Sequence, residues 1–235
     1  MPHPSLRGLT ILLLCLITLT SCGWSRDTAP DVVPVYVGLG ASDAVGVGAT
    51  RPEQEGWVPL VAAGLPAETA LLNLGVSGAT VRDVIDGQLP VALDRAPRWI
   101  TVWPGPNDFR NGVPLETFAA QLDQLLTALR PAVGDRRTIA VLNLPDLRAL
   151  PVFARVGGND TERGGLDARV RDWNATIAAT VARHADYAVL VDLYAGWEEL
   201  GTHPEYISAD GFHPSSAGYR RIADLTLAAL RSYDR

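Results

Sequence analysis

Four short stretches of this chain carry residue types that together can perform acyl-transfer chemistry. Asp210-Gly211-Phe212-His213-Pro214 sets a carboxylate three residues before an imidazole. Ser42 stands in Gly40-Ala41-Ser42-Asp43-Ala44-Val45-Gly46, Gly78 closes Asn73-Leu74-Gly75-Val76-Ser77-Gly78, and Asn107 lies in Gly105-Pro106-Asn107-Asp108. A serine hydroxyl is a poor nucleophile at neutral pH. It needs a base within hydrogen-bond reach, and that base needs an acceptor to orient it. His213 is the best base, because Pro214 biases it away from helical geometry and keeps it in a loop. Asp210 is close enough in a turn to accept from one ring nitrogen. The developing oxyanion needs donors, and the backbone N–H groups of Ser42 and Gly78 and the Asn107 amide can supply them.

Each member has a plainer reading. Asp-Gly-x-His-Pro is also turn chemistry, Ser42 could cap a helix, Gly78 could serve a positive φ, and Asn107 could bond its own backbone. The combination is far more specific than any member. His203 precedes a proline and is the reserve base, while His184 at a helix end is explained by the helix dipole. A metal site from Asp108, Asp210 and His213 is conceivable, but its spacing follows no ligand pattern, so neither metal nor cofactor is expected. All the cations are Arg, which excludes a Ser-Lys dyad and a Schiff base. Trp57, Trp103 and Trp197 could form an aromatic platform. Trp103 is the best placed, and burial in the core is the better account of the other two.

The elements that must position these residues alternate. Val33 to Leu39, Thr69 to Leu74, Trp99 to Trp103, Thr138 to Leu144 and Tyr187 to Leu193 read as buried strands. Leu115, Phe118, Leu122, Leu125 and Leu129 share one helix face, as do Leu166, Val170, Trp173, Ile177 and Val181. A last helix over Ser215 to Tyr233 sets Tyr219, Ile222, Leu225 and Ala229 on one side. Such alternation implies βαβ units and a mainly parallel sheet covered on both faces. Ligands then collect at the carboxyl ends of strands, where Ser42, Gly78 and Asn107 fall. Residues 145–165 form the longest irregular stretch, either a binding rim or a solvated excursion.

The N-terminus reads as a signal. One Arg precedes a short apolar run and small residues follow, a run too short for a confident span. Leu19-Thr20-Ser21-Cys22 resembles the lipobox of bacterial lipoproteins, which implies a signal over residues 1–21 and a lipid on Cys22. Residues 22–32 read as a tether and 33–235 as one domain. Cys15 would leave with the signal, so no disulfide or thiolate metal site remains. A net charge of −6 argues against nucleic acid. The expected location is outside the cytoplasm, with the chain held by lipid to a bacterial membrane and facing the exterior or periplasm.

The four stretches resemble the blocks of the SGNH hydrolases, also called the GDSL esterase and lipase family. Ser42 matches the nucleophile, Gly78 and Asn107 the oxyanion residues, and Asp210 and His213 the Asp-x-x-His unit. The resemblance implies an α/β fold, a three-layer α/β/α sandwich with about five parallel strands in the flavodoxin-like manner. It also implies metal-free ester hydrolysis through an acyl-enzyme. One departure stands out: the family's Gly-Asp-Ser-Leu is here Gly40-Ala41-Ser42-Asp43. An acidic group beside Ser42 could repel anionic substrates. The expected substrate is a small ester, an acylated glycan or a lipid. The alternatives are a non-catalytic surface binding protein on the same fold and an acyltransferase to a glycan. An α/β-hydrolase elbow fits less well, because Gly40-x-Ser42-x-Ala44 only half matches it.

Overall fold

The computed structural model describes residues 33–133, 138–156, 160–196, 200 and 202–233. The expected signal, the tether with Cys22, and Trp197 lie outside these residues.

Five strands form one parallel sheet: β1 (Val35–Leu39), β2 (Ala70–Asn73), β3 (Trp99–Val102), β4 (Thr138–Leu142) and β5 (Ala188–Val191). Their spatial order is β2-β1-β3-β4-β5, the doubly wound order of the flavodoxin type. Val37 faces Ile100 and Ile100 faces Ile139 in register. β1, β3 and β4 are Val/Ile/Leu-rich runs sealed on both faces by helices, as parallel sheets require. β2 corrects the expectation of a buried strand. It is an edge with one neighbour, and Ala70, Leu71 and Asn73 are exposed.

The helices divide between two layers. One face carries α1 (Ser42–Val45), α2 (Pro52–Glu55), α3 (Trp57–Ala63), α10 (Leu193–Gly196) and α11 (Ser216–Tyr233). The other carries α4 (Val81–Asp83), α5 (Leu89–Leu93), α6 (Pro106–Arg110), α7 (Leu115–Val133), α8 (Pro151–Val156) and α9 (Asp160–Arg183). α7 and α9 bury the apolar faces read from their periodicity, and Phe109, Phe118 and Trp173 interlock between them with ring centroids 4.5 and 5.4 Å apart. α11 buries Tyr219, Ile222, Ala223, Leu227 and Leu230. Its core face is therefore rotated from the expected one, since Leu225 and Ala229 lie at the margin. Tyr219, common to both faces, donates its hydroxyl to the Val47 carbonyl, 2.6 Å away.

The stretch expected to be irregular, 145–165, is largely helical. It holds a 3₁₀ turn at Leu147–Ala149, then α8, then the start of α9. Gly164 and Gly165 do not stop α9, because Val170, Trp173, Ile177 and Val181 anchor its later turns and propagation costs little once a helix is nucleated.

Candidate active site

The base unit is built locally. Ile207 and Pro214 form an antiparallel bridge, and Ser208 N–H donates to the His213 carbonyl at 2.8 Å, closing a tight turn. Inside it, Asp210 Oδ1 accepts from the Ser208 hydroxyl and from the N–H groups of Phe212 and His213, at 2.8 to 2.9 Å. Asp210 Oδ2 is left to meet His213 Nδ1 at 2.6 Å. Partial burial alone would raise the Asp210 carboxyl. The bonds from His213, the two backbone N–H groups and Ser208 outweigh it and hold the group well below the usual carboxylate range. Asp210 is therefore ionised whenever the imidazole is needed.

The other ring nitrogen meets the nucleophile: His213 Nε2 lies 2.8 Å from Ser42 Oγ. Asp210, His213 and Ser42 thus form one continuous relay across 171 residues of sequence. Ser42 opens α1, and its N–H, at the first helical position, has no partner among the described residues.

Long-range bonds hold the Ser42 loop. Gln88, from a π-helical turn at Val84–Gln88, clamps Gly40 on both sides: Gly40 N–H donates to its Oε1 at 3.0 Å and its Nε2 to the Gly40 carbonyl at 2.8 Å. Asn73 Nδ2 donates to the Ala44 carbonyl at 2.6 Å. Gly48, at φ +97°, lets the loop press against the His213 segment: a Cβ there would lie 2.5 Å from the Pro214 carbonyl oxygen.

Asn107 is buried at the start of α6, and its Nδ2 donates to the Ala79 carbonyl at 3.0 Å, leaving its second amide hydrogen without a described partner. Asp108 beside it accepts the Val81 N–H with both oxygens, at 3.1 and 3.2 Å. Together they pin the segment that follows Gly78. Burial pushes the Asp108 carboxyl up to about 6, against the pull of the Val81 N–H. Gly78 sits in an exposed turn at φ +85°, with its N–H unpartnered among the described residues. The structure places Asn107 in the same cleft as Ser42 and His213, while Gly78 is not among the residues that line it.

That cleft holds about 560 Å³ of empty space, open mouth included. Its walls are mainly apolar, with Trp103, Leu147, Leu150, Leu200, Tyr206 and Ile207 prominent. The 145–165 stretch thus lines the cleft through Pro145, Leu147 and Leu150. Trp103 corrects the platform expectation: it is buried, its Nε1 donates to the Asn143 carbonyl at 3.1 Å, and it forms the floor rather than an exposed stacking face. Trp57 is core, edge-on to Trp103 at 6.2 Å.

The other histidines are accounted for. His203 bonds Glu205 at 2.6 Å and stacks on Tyr206. His184 is held by Asp123 at 2.9 Å and by the Tyr187 hydroxyl at 2.6 Å, so specific partners rather than the dipole alone explain it. Asp108 and Asp210 point to backbone donors and to His213, and no cluster able to hold a metal is present among the described residues. The supporting bonds of Gln88, Asn73 and Asp108, and the parts of the cleft wall from Leu200, Tyr206 and Ile207, were missed by sequence reasoning. Nothing local marks them, since each acts on a residue far away in the chain.

The family model of the GDSL-like lipase/acylhydrolase family matches residues 39–221. Among solved structures, LAE5, an alpha/beta hydrolase enzyme from the metagenome of Lake Arreo in Spain, is 22% identical with a TM-score of 0.64, covering 86% of this chain and 97% of its own. A family 3 carbohydrate esterase of Clostridium thermocellum is 20% identical with a TM-score of 0.63, covering 86% and 99%. A catalytic mutant of an acetylxylan esterase from Geobacillus stearothermophilus is 22% identical with a TM-score of 0.64, covering 84% and 94%. No curated protein sequence matches the chain.

Proposed function

Since the chain belongs to the GDSL-like lipase/acylhydrolase family, we propose that it hydrolyses a small carboxylic ester through an acyl-enzyme on Ser42. The observation that carries this reading is the unbroken Asp210–His213–Ser42 relay. Ser42 Oγ attacks the acyl carbon as His213 Nε2 takes its proton. Asp210 holds the ring by Nδ1 and stabilises the imidazolium that forms. The N–H groups of Ser42 and Gly78 and the second amide hydrogen of Asn107 stabilise the tetrahedral oxyanion. His213 returns the proton to the leaving alcohol, then activates the water that frees the acyl group. The apolar cleft beside Ser42 supports an acyl chain or other small apolar group as the bound part. Acetylated sugars are natural candidates, given the carbohydrate esterases among the structural neighbours.

The same reading places the enzyme outside the cytoplasm, held to a membrane by lipid on Cys22. An intact relay favours turnover over a retired binding module. The test is hydrolysis of p-nitrophenyl acetate, butyrate and a long-chain ester by the full chain in mild detergent, beside Ser42→Ala. The variant should lose about four to six orders of magnitude in kcat. Equal turnover by both proteins would sink the mechanism. The lipid is tested separately, by mass spectrometry of membrane-fraction protein with and without Cys22→Ala.

A further inference from the structure

Asp43 is a charged residue in the wall of the cleft that the relay does not use. It follows the nucleophile directly, is only 6% exposed, and lines the same cleft as Ser42 and His213. Its Oδ1 accepts from the Ala41 N–H at 3.2 Å and the Ala44 N–H at 2.7 Å, which ties the first turn of α1. An asparagine carbonyl could make both bonds. The charge is surplus to that structural task, and apart from Ala41, Ala44 and its own backbone N–H no donor meets the carboxylate among the described residues. Among the described residues no Arg lines the cleft. The nearby ionisable groups are the His213 imidazole, which is neutral while it serves as base, and the Tyr219 phenol, which burial pushes up out of reach. A buried carboxylate without a counter-charge is costly, and a neutral donor would relieve only part of that cost.

We propose that Asp43 selects the charge of the substrate: its carboxylate in the cleft wall receives a cationic group carried by the ester, so ammonium-bearing esters are preferred over uncharged isosteres and anionic ones are rejected. This rests on the reading of the cleft as an ester site. Asp43 is a specificity-determining residue here, and the relay performs the same steps with or without it. Burial pushes its carboxyl up to about 6, against the pull of the Ala44 and Ala41 N–H groups and of His213. The preference is therefore present above about pH 6 and fades below it.

The experiment compares kcat/KM ratios for the full chain and Asp43→Asn. One pair is acetylcholine and its uncharged carbon isostere, with the charge on the alcohol side. The second pair is the methyl ester of γ-trimethylammoniobutyrate and its carbon isostere, with the charge on the acyl side. The ratio within a pair cancels whatever the substitution or pH does to the relay. In at least one pair the wild type should favour the cation about tenfold or more at pH 8, and Asp43→Asn should bring the ratio to about one. Lowering pH to 5 should erase the wild-type preference, which keeps the test open if the variant folds poorly. Equal ratios in wild type and variant, no wild-type preference in either pair, or a pH-dependent ratio that survives in the variant and so belongs to His213, would each overturn the assignment. Turnover of the neutral isosteres by the wild type reports separately on the esterase reading. If they are not cleaved, that reading fails, whatever Asp43 does.

Discussion

The two sides of the relay are constructed differently. Asp210 and His213 sit in one turn, and the bonds that orient them come from Ser208, Phe212 and His213 itself, all within five residues of Asp210. The Ser42 loop is held from a distance instead. Gln88 clamps Gly40, Asn73 holds the Ala44 carbonyl, Tyr219 bonds Val47 and Gly48 abuts Pro214. The base is a local device, whereas the nucleophile is aimed by an edge strand, two separate helical segments and the loop at Pro214. Damage to the first should cost chemistry alone, and damage to the supports of the second should cost chemistry and stability together.

The largest effect should come from the local side. His213→Ala is expected to lower kcat by about four to six orders of magnitude and Asp210→Asn by about three to four, both with Tm close to wild type. A Tm drop of many degrees in either variant would break the contrast. Next is Gln88→Ala, which leaves the buried Gly40 N–H unpaired and takes from the Gly40 carbonyl one of its two donors, the Val76 N–H remaining at 3.1 Å. The expected loss is about 1–3 kcal/mol of stability, together with at least a tenfold fall in kcat/KM. Denaturant midpoints beside kinetics will read it, and a loss confined to one of the two would refute the coupling. Gly48→Ala should be milder in chemistry. Its positive φ and its 2.5 Å approach to the Pro214 carbonyl should lower Tm by several degrees and loosen the Ser42–His213 contact.

The smallest effect concerns pH. A carboxyl at about 6 in the fold and about 4 in the unfolded chain binds more protons folded than unfolded between those values. The stability cost of Asp43 is therefore complete above pH 6 and disappears near pH 4. Asp43→Asn should raise Tm by a few degrees at pH 8 and by nothing near pH 4, which differential scanning fluorimetry at the two pH values will check. A gain of equal size at both pH values would show that ionisation is not its source.

Legibility follows the same division. The Asp210/His213 unit could be read because a three-residue spacing, a glycine and a proline imply a turn. The strands β1, β3 and β4 could be read because parallel strands buried on both faces leave long apolar runs. The rotation of α11 was missed, because several nearly equal apolar stripes run along its Ala- and Leu-rich surface and only packing against the sheet and α3 selects one. The exposure of β2 was missed, because an edge and an interior strand can carry the same Leu-rich run. The helicity of Pro151–Val156 and of the first turns of α9 was hidden by the glycines of that stretch.

The sequence by itself determined the elements, their alternation and the parallel sheet, and offered Ser42, Asp210, His213, Gly78 and Asn107 as candidates, because short-range periodicity and motif spacing are written in neighbouring residues. Only the tertiary structure decided that Ser42 Oγ and His213 Nε2 meet at 2.8 Å, that Gln88 and Asn73 aim the loop, and that Asp43 is buried in the cleft wall. Such contacts join residues 29 to 171 apart, and their distances follow from how the packed layers close around the sheet rather than from any local preference.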